Sequence, residues 1–266
     1  MITNVYEGVI LAAGLSNRLN QYVKLGSKPL VEIFGIPLIL YPISVLSKIG
    51  VTTFNIVVNK QNHKKIKSEL KKYKTFKTRF IKNKHPELEN GYSFFIGAEK
   101  ISAKVFFLSM ADHIYVPRVA RKLLFGMRYD TDILIGSDSS PRFIDVEEST
   151  KLLVVNGKVI KIGKNLERYT HVDIGVFLVK KRVLQLLEKS HLKYPFGLSD
   201  FINKAIEEGY CVRNVDVKGD YWTEIDTLED LEKILQGNRR IVVERVLNNL
   251  RRTTLSPLTE IQTKIL

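Results

Sequence analysis

A single cysteine, Cys211, stands in this chain of 266 residues, so no internal disulfide can form. A reducing compartment is the simplest home for such a sequence. No apolar run approaches the ~18 residues that a membrane-spanning helix needs. The N-terminus, MITNVYEG, has neither the basic segment nor the apolar stretch of a secretory signal. These absences predict a cytoplasmic protein. Linkers rich in proline, glycine and serine are missing from residues 1–236, as are repeats and low-complexity segments. One domain is therefore expected over 1–236, followed by a basic helix and tail over 237–266.

Acidic residues are scarce. There are 28 Asp and Glu against 42 Lys and Arg, a formal charge of +14. Residues 60–84 carry eleven Lys/Arg and one Glu, and 239–266 carry six and two, so the rest of the chain is balanced. A basic stretch can bind nucleic acid or anionic lipid. Segment 60–84 has few interleaved aromatics and no nucleic-acid recognition motif, so it reads as a solvated helix and strand, with no nucleic-acid partner expected.

What the sequence has in quantity is alternation. EGVILAAG reads as a buried central strand ending near Gly14. A helix over 38–49 and strands over 54–59 and 104–110 follow, with helices over 61–73 and 91–100 between them. This pattern predicts an α/β fold, a doubly wound, Rossmann-like and mostly parallel sheet. Asn156-Gly157 marks a hairpin that adds antiparallel strands at one edge. Thr227 is placed to cap a helix over LEDLEKILQ.

Three places could carry chemistry. The loop Ala12-Ala13-Gly14 follows a parallel strand, where ligands sit in open α/β sheets. Its small residues admit close backbone approach, and successive N–H groups can cradle phosphate. Arg18 and Lys28 add the positive charge a triphosphate requires, though neither a Walker loop nor GxGxxG is present. Asp112 ends the strand FFLSM at the same sheet edge and suits a Mg²⁺ ligand; it reads equally as a turn cap. Asp226 lies ahead of the last capped helix, where it could share that ion or serve as the N-cap. His113, next to Asp112, has no partner visible in the sequence and is read as a structural neighbour.

Taken together, LAAGLSNRL…KLGSKPLV, ENGYS, LSMADH and WTEIDTLEDL resemble the nucleotidyltransferases that couple an NTP to a sugar or alcohol phosphate. Ser16 stands where that family's LAAGxGxR motif has glycine. Within the family, PRFIDVEESTKLLVVNGKVIKIGKNLERYTHVDIGVFLV and YPFGLSDFI are similar to archaeal and hyperthermophile CTP:inositol-1-phosphate cytidylyltransferases. Those enzymes often form the first half of a di-myo-inositol phosphate phosphate synthase. The resemblance covers residues 6–236.

The resemblance implies CTP and inositol 1-phosphate as substrates and Mg²⁺ as cofactor. Leu11, Ala12, Ala13 and Gly14, with Glu89, Asn90, Gly91, Tyr92 and Ser93, would bind the nucleotide. Arg18, Lys28 and Lys164 would act in catalysis, Lys164 also meeting the acceptor phosphate together with Asp173 and Gly175. Asp112 and Asp226 would hold the metal. The tail from 237 would touch a membrane surface or a fused or associated CDP-alcohol transferase, or else pack on its own domain or a dimer mate. Other sugar 1-phosphates or phosphocholine remain alternative acceptors. A nucleic-acid-binding module and a silent regulatory homologue are the readings outside enzymology.

Overall fold

A computed structural model describes residues 5–15, 19, 27–189 and 194–251. In chain order the strands and helices are β1 (Glu7–Ala12), β2 (Glu32–Ile33), β3 (Ile36–Pro37), α1 (Leu40–Lys48), β4 (Thr53–Val58), α2 (His63–Leu70), β5 (Lys77–Lys82), α3 (Glu89–Glu99), β6 (Val105–Met110) and β7 (His113–Tyr115). There follow α4 (Pro117–Gly126), β8 (Ile133–Asp138), β9 (Lys151–Val155), β10 (Lys158–Gly163), β11 (His171–Lys180), α5 (Gln185–Lys189), α6 (Leu198–Glu207), β12 (Val212–Asp216), β13 (Trp222–Glu224), α7 (Leu228–Leu235) and α8 (Arg240–Arg251).

The main sheet has nine strands in the order β5-β4-β1-β6-β11-β8-β12-β10-β9. Every residue of β1 is buried, as its unbroken apolar run requires of a strand covered on both faces. Period-2 alternation then divides its side chains. Val9 and Leu11 join one core with Phe94 of α3 and Phe201 of α6, and Ile10 and Ala12 join the other with Tyr41 of α1 and Leu123 of α4. The strands β5, β4, β1 and β6 are parallel, so β1 and β6 deliver their carboxyl ends to one edge.

The hairpin expected at Asn156-Gly157 is present, with φ of +51° and +71° at the two turn residues. It lies at the sheet edge beyond β12, and β9 turns back to pair with β11 as well. A second antiparallel strand lies in the middle: β11 runs against both β6 and β8. It takes the same direction as β10, since β9 pairs antiparallel with both.

The basic helix near the C-terminus folds onto the domain. Val242, Val243, Val246 and Leu250 of α8 are fully buried, and the helix packs on α1, α7 and β7. Among the described residues no helix is long and apolar enough to cross a membrane.

Candidate active site

At the carboxyl edge of the sheet, the loop after β1 is fixed by asparagines from the β4–α2 turn. Asn62 Nδ2 donates to the Ala12 carbonyl at 2.7 Å, and Asn59 Nδ2 to that of Ala13 at 3.0 Å. The loop borders a cavity of about 560 Å³. Of the residues expected to hold a nucleotide, Leu11, Ala12, Ala13, Gly14, Glu89, Asn90 and Ser93 line this cavity, together with Lys28, Asp112 and Asp226. The sequence reading did not single out Leu15, Pro29, Pro86, Met110 and Ala111, which also line it. They are apolar neighbours of the motif residues and carry no chemical signal of their own.

Glu89 starts α3 with φ +68° and ψ −174°, a conformation that a residue with a side chain rarely adopts and that costs about 1–3 kcal/mol. The surroundings hold it there. Asn90 Oδ1 accepts a hydrogen bond from Leu198 N at 2.6 Å, tying the start of α3 to that of α6, and Asn83 Nδ2 donates to Ser93 Oγ at 2.9 Å. Gly91 and Tyr92 do not line the cavity. A Cβ on Gly91 would lie 2.5 Å from the Phe196 carbonyl oxygen, so this glycine lets α3 pack against the segment before α6. The ring of Tyr92 meets Tyr194 edge-on, with centroids 5.4 Å apart.

Lys28 opens a short turn with Pro29 and is buried at 8% exposure, which is unusual for lysine. Two carboxylates explain it. Its ammonium donates to Asp112 Oδ2 at 2.6 Å and to Asp226 Oδ1 at 2.5 Å. These aspartates lie more than a hundred residues apart in the chain, and β7 and β13 bring them together. Glu224 pairs with His113 in that small sheet, and just beyond it Ile225 N donates to the Asp112 carbonyl at 3.2 Å.

His113 has partners after all. Its Nδ1 lies 2.7 Å from Asp112 Oδ1 and its Nε2 3.2 Å from Glu224 Oε2. The result is a continuous charged chain, Glu224–His113–Asp112–Lys28–Asp226. Burial opposes the charges on Lys28, Asp112 and His113, but their partners outweigh it. His113 is raised to about 10 by its hydrogen bonds to Asp112 and Glu224. Asp112 is held well below the usual carboxylate range by Lys28 and His113, and Lys28 above an ordinary lysine by the two aspartates.

Asp173 and Gly175 lie in β11 behind His113 and do not line the cavity. Burial pushes the Asp173 carboxyl up to about 7, against the hydrogen bond that its Oδ1 accepts from Gly175 N at 2.8 Å. Lys164 is exposed just past β10, and its carbonyl accepts from Lys151 Nζ at 3.1 Å. Arg18 lies outside the described residues.

The sheet, the small-residue loop over a cavity at its carboxyl edge and the paired aspartates define a class, the nucleotide-binding α/β transferase domains. Residues 8–204 match the MobA-like NTP transferase domain, and the chain belongs to that family. It is 32% identical to the bifunctional IPC transferase and DIPP synthase of Aquifex aeolicus, over 95% of this chain and 58% of that one. The bifunctional IPC transferase and DIPP synthase of Archaeoglobus fulgidus is 33% identical over 89% of this chain and 44% of its own. The chain thus spans about half the length of these curated relatives. Among solved structures, the inositol-1-phosphate CTP transferase from T. maritima superposes with a TM-score of 0.83 at 28% identity, covering 94% of this chain and 98% of that one.

Proposed function

We propose that this protein transfers the cytidylyl group of CTP to inositol 1-phosphate, giving CDP-inositol and pyrophosphate. The observation that carries the proposal is the convergence of Asp112 and Asp226 on the Lys28 ammonium, at the wall of the cavity bordered by the β1 loop. The names of the relatives supply the base and the acceptor.

The residues fit a hard divalent cation. Two carboxylates already meet at one positive charge, and oxygen is the donor such an ion prefers. Among the described residues no group of three or more His, Cys, Asp or Glu is arranged to hold a metal, so phosphate and water would complete the shell. Mg²⁺ is the ion we assign to Asp112 and Asp226; when bound it would neutralise charge on the α-phosphate.

The acceptor is a phosphate monoester, already nucleophilic at neutral pH, so the chain need supply no general base. One phosphate oxygen forms a bond to the α-phosphorus as the bond from that phosphorus to the β-phosphate oxygen breaks, and pyrophosphate leaves with the electron pair. Holding two anions together is the protein's main task. Lys28, with Arg18, would offset the triphosphate charge, and the loop 12–14 would hold the nucleotide. Lys164 would meet the acceptor phosphate. Asp173, partly protonated at neutral pH, could donate a hydrogen bond to a polyol hydroxyl. A CDP-alcohol transferase, fused or separate, is the consumer we propose for the product.

The test is pyrophosphate release with Mg²⁺, crossing CTP, UTP, GTP and ATP against inositol 1-phosphate, glucose 1-phosphate and phosphocholine. Release confined to CTP with inositol 1-phosphate, and lost in Asp112→Ala and Asp226→Ala, is expected. Release with a different pair would keep the chemistry and replace the substrate.

A further inference from the structure

We propose that His113 is a positioning residue. It grips one oxygen of Asp112 and is itself anchored by Glu224, so that the other Asp112 oxygen is presented to the cation. The proposal rests on Asp112 being a metal ligand. His113 is 8% exposed and does not line the cavity, so it acts on the site only through its neighbour.

Three observations support this role. First, the two oxygens of Asp112 are divided: Oδ1 lies 2.7 Å from His113 Nδ1, and Oδ2 lies 2.6 Å from Lys28 Nζ. A carboxylate with one oxygen pinned has lost most of its freedom about χ2, and the other oxygen points where the positive charge is. Second, the imidazole is held at its other end, with Nε2 3.2 Å from Glu224 Oε2. That contact follows from backbone register, since His113 and Glu224 are paired residues of β7 and β13. Third, the sheet makes room for the ring. Gly175 has φ +68°, and a Cβ there would lie 2.4 Å from His113 Cδ2 and 2.6 Å from Nε2. The register of β11 against β8 shifts between Asp173 and Phe177, at the same place. A pairing irregularity, a left-handed glycine and a two-ended hydrogen bond thus converge on one buried ring. Partners that orient a metal ligand in this way typically change metal affinity by about 10–100-fold when removed.

The test separates the two ends of the ring. In His113→Asn an amide takes the place of Nδ1 and can still reach Asp112. In His113→Gln the amide takes the place of Nε2, so Glu224 keeps a partner and Asp112 loses one. Binding of Mn²⁺ to the full chain, followed by electron paramagnetic resonance, is read beside the Mg²⁺ dependence of pyrophosphate release. We expect His113→Gln to weaken Mn²⁺ binding about 10–100-fold and His113→Asn to stay within about threefold of the parent. Glu224→Gln, which preserves shape, should weaken it less than His113→Gln, and this variant carries the test if His113→Gln does not fold. Gly175→Ala should reproduce the loss. Equal losses in His113→Asn and His113→Gln, or Mn²⁺ binding untouched in both His113→Gln and Glu224→Gln while Asp112→Ala abolishes it, would reduce His113 to a packing residue and overturn the proposal. Undiminished Mn²⁺ binding in Asp112→Ala would instead remove the metal site itself, and this inference with it.

Discussion

Asp173 shows what a buried acid costs the fold. Its carboxyl is raised by burial to about 7, so the folded chain takes up a proton that the unfolded chain releases at lower pH. The sign follows from linkage. The folded state binds more protons between the ordinary aspartate range and pH 7, so stability falls as pH rises through that window and stays low above it. Asp173→Asn removes the dependence and retains an oxygen able to accept from Gly175 N. We expect the variant to gain on the order of 2–4 kcal/mol over the parent at pH 8 and less than half of that at pH 5, as read by thermal unfolding at both. Its cost should be acceptor binding. Lys28 presents the opposite case, a buried cation with two acids on it. If its ammonium offsets charge on the reacting phosphates, as we propose, Lys28→Ala should lower kcat by about 10²–10³-fold. Steady-state kinetics with CTP at saturation checks this. Both aspartates and Lys28 were legible in the sequence, because strand ends and a Lys-Pro after a small-residue loop are local signals. His113 was not: its partner Glu224 lies far along the chain, and β7 and β13 are three residues each, too short to show a period.

At the scale of elements, the junction of α7 and α8 positions half of the site. Thr227 caps α7 as its sequence predicts, its hydroxyl accepting from Asp230 N at 3.2 Å. Asp230 does more than complete the capping box. Its Oδ2 accepts from the backbone N–H of both Asp226 and Thr227 at 2.9 Å, and its Oδ1 takes Arg239 Nη1 at 2.7 Å. The backbone of the Asp226 segment is thereby fixed by the same carboxylate that neutralises a buried arginine. Thr227→Ala should cost about 1 kcal/mol, the usual worth of a cap. Asp230→Ala should cost about 3–5 kcal/mol, because Arg239 stays buried without its partner. Chemical denaturation measures both. Activity should fall in Asp230→Ala alone, since only there does Asp226 lose an anchor. Thr227 could be read from its residue type. Arg239 could not, because in sequence it is one more cation in a basic tail, and only packing shows it to be 3% exposed. The direction of the middle strand β11 was hidden for a related reason. Its ten residues are apolar enough for either direction, and only its pairing with β6 and β8 shows which it takes.

Across the whole molecule, the two basic segments are used in different ways. The basic run 60–84 becomes α2, with only Ile66 and Leu70 buried, and the edge strand β5, whose Lys77 and Lys82 face solvent. Lysines on an exposed edge deter pairing with another sheet. The C-terminal helix does the reverse. Its sequence, basic and amphipathic, allowed a surface role, yet Val242, Val243, Val246 and Leu250 are each fully buried, in the same core as α1 and β1. Burial of this size contributes about 1.5–3 kcal/mol per side chain, an upper estimate because unfolded chains already bury some surface. Four such side chains approach the whole net stability of a typical domain, about 5–15 kcal/mol. We therefore expect a chain ended after Gln236 to expose the α1 face and to be insoluble, or to lose its cooperative thermal transition. If residues 1–236 melted cooperatively at the parent temperature, α8 would be an appendage. The folding unit would then end at α7, and the face of α1 that the helix covers would be open to another partner.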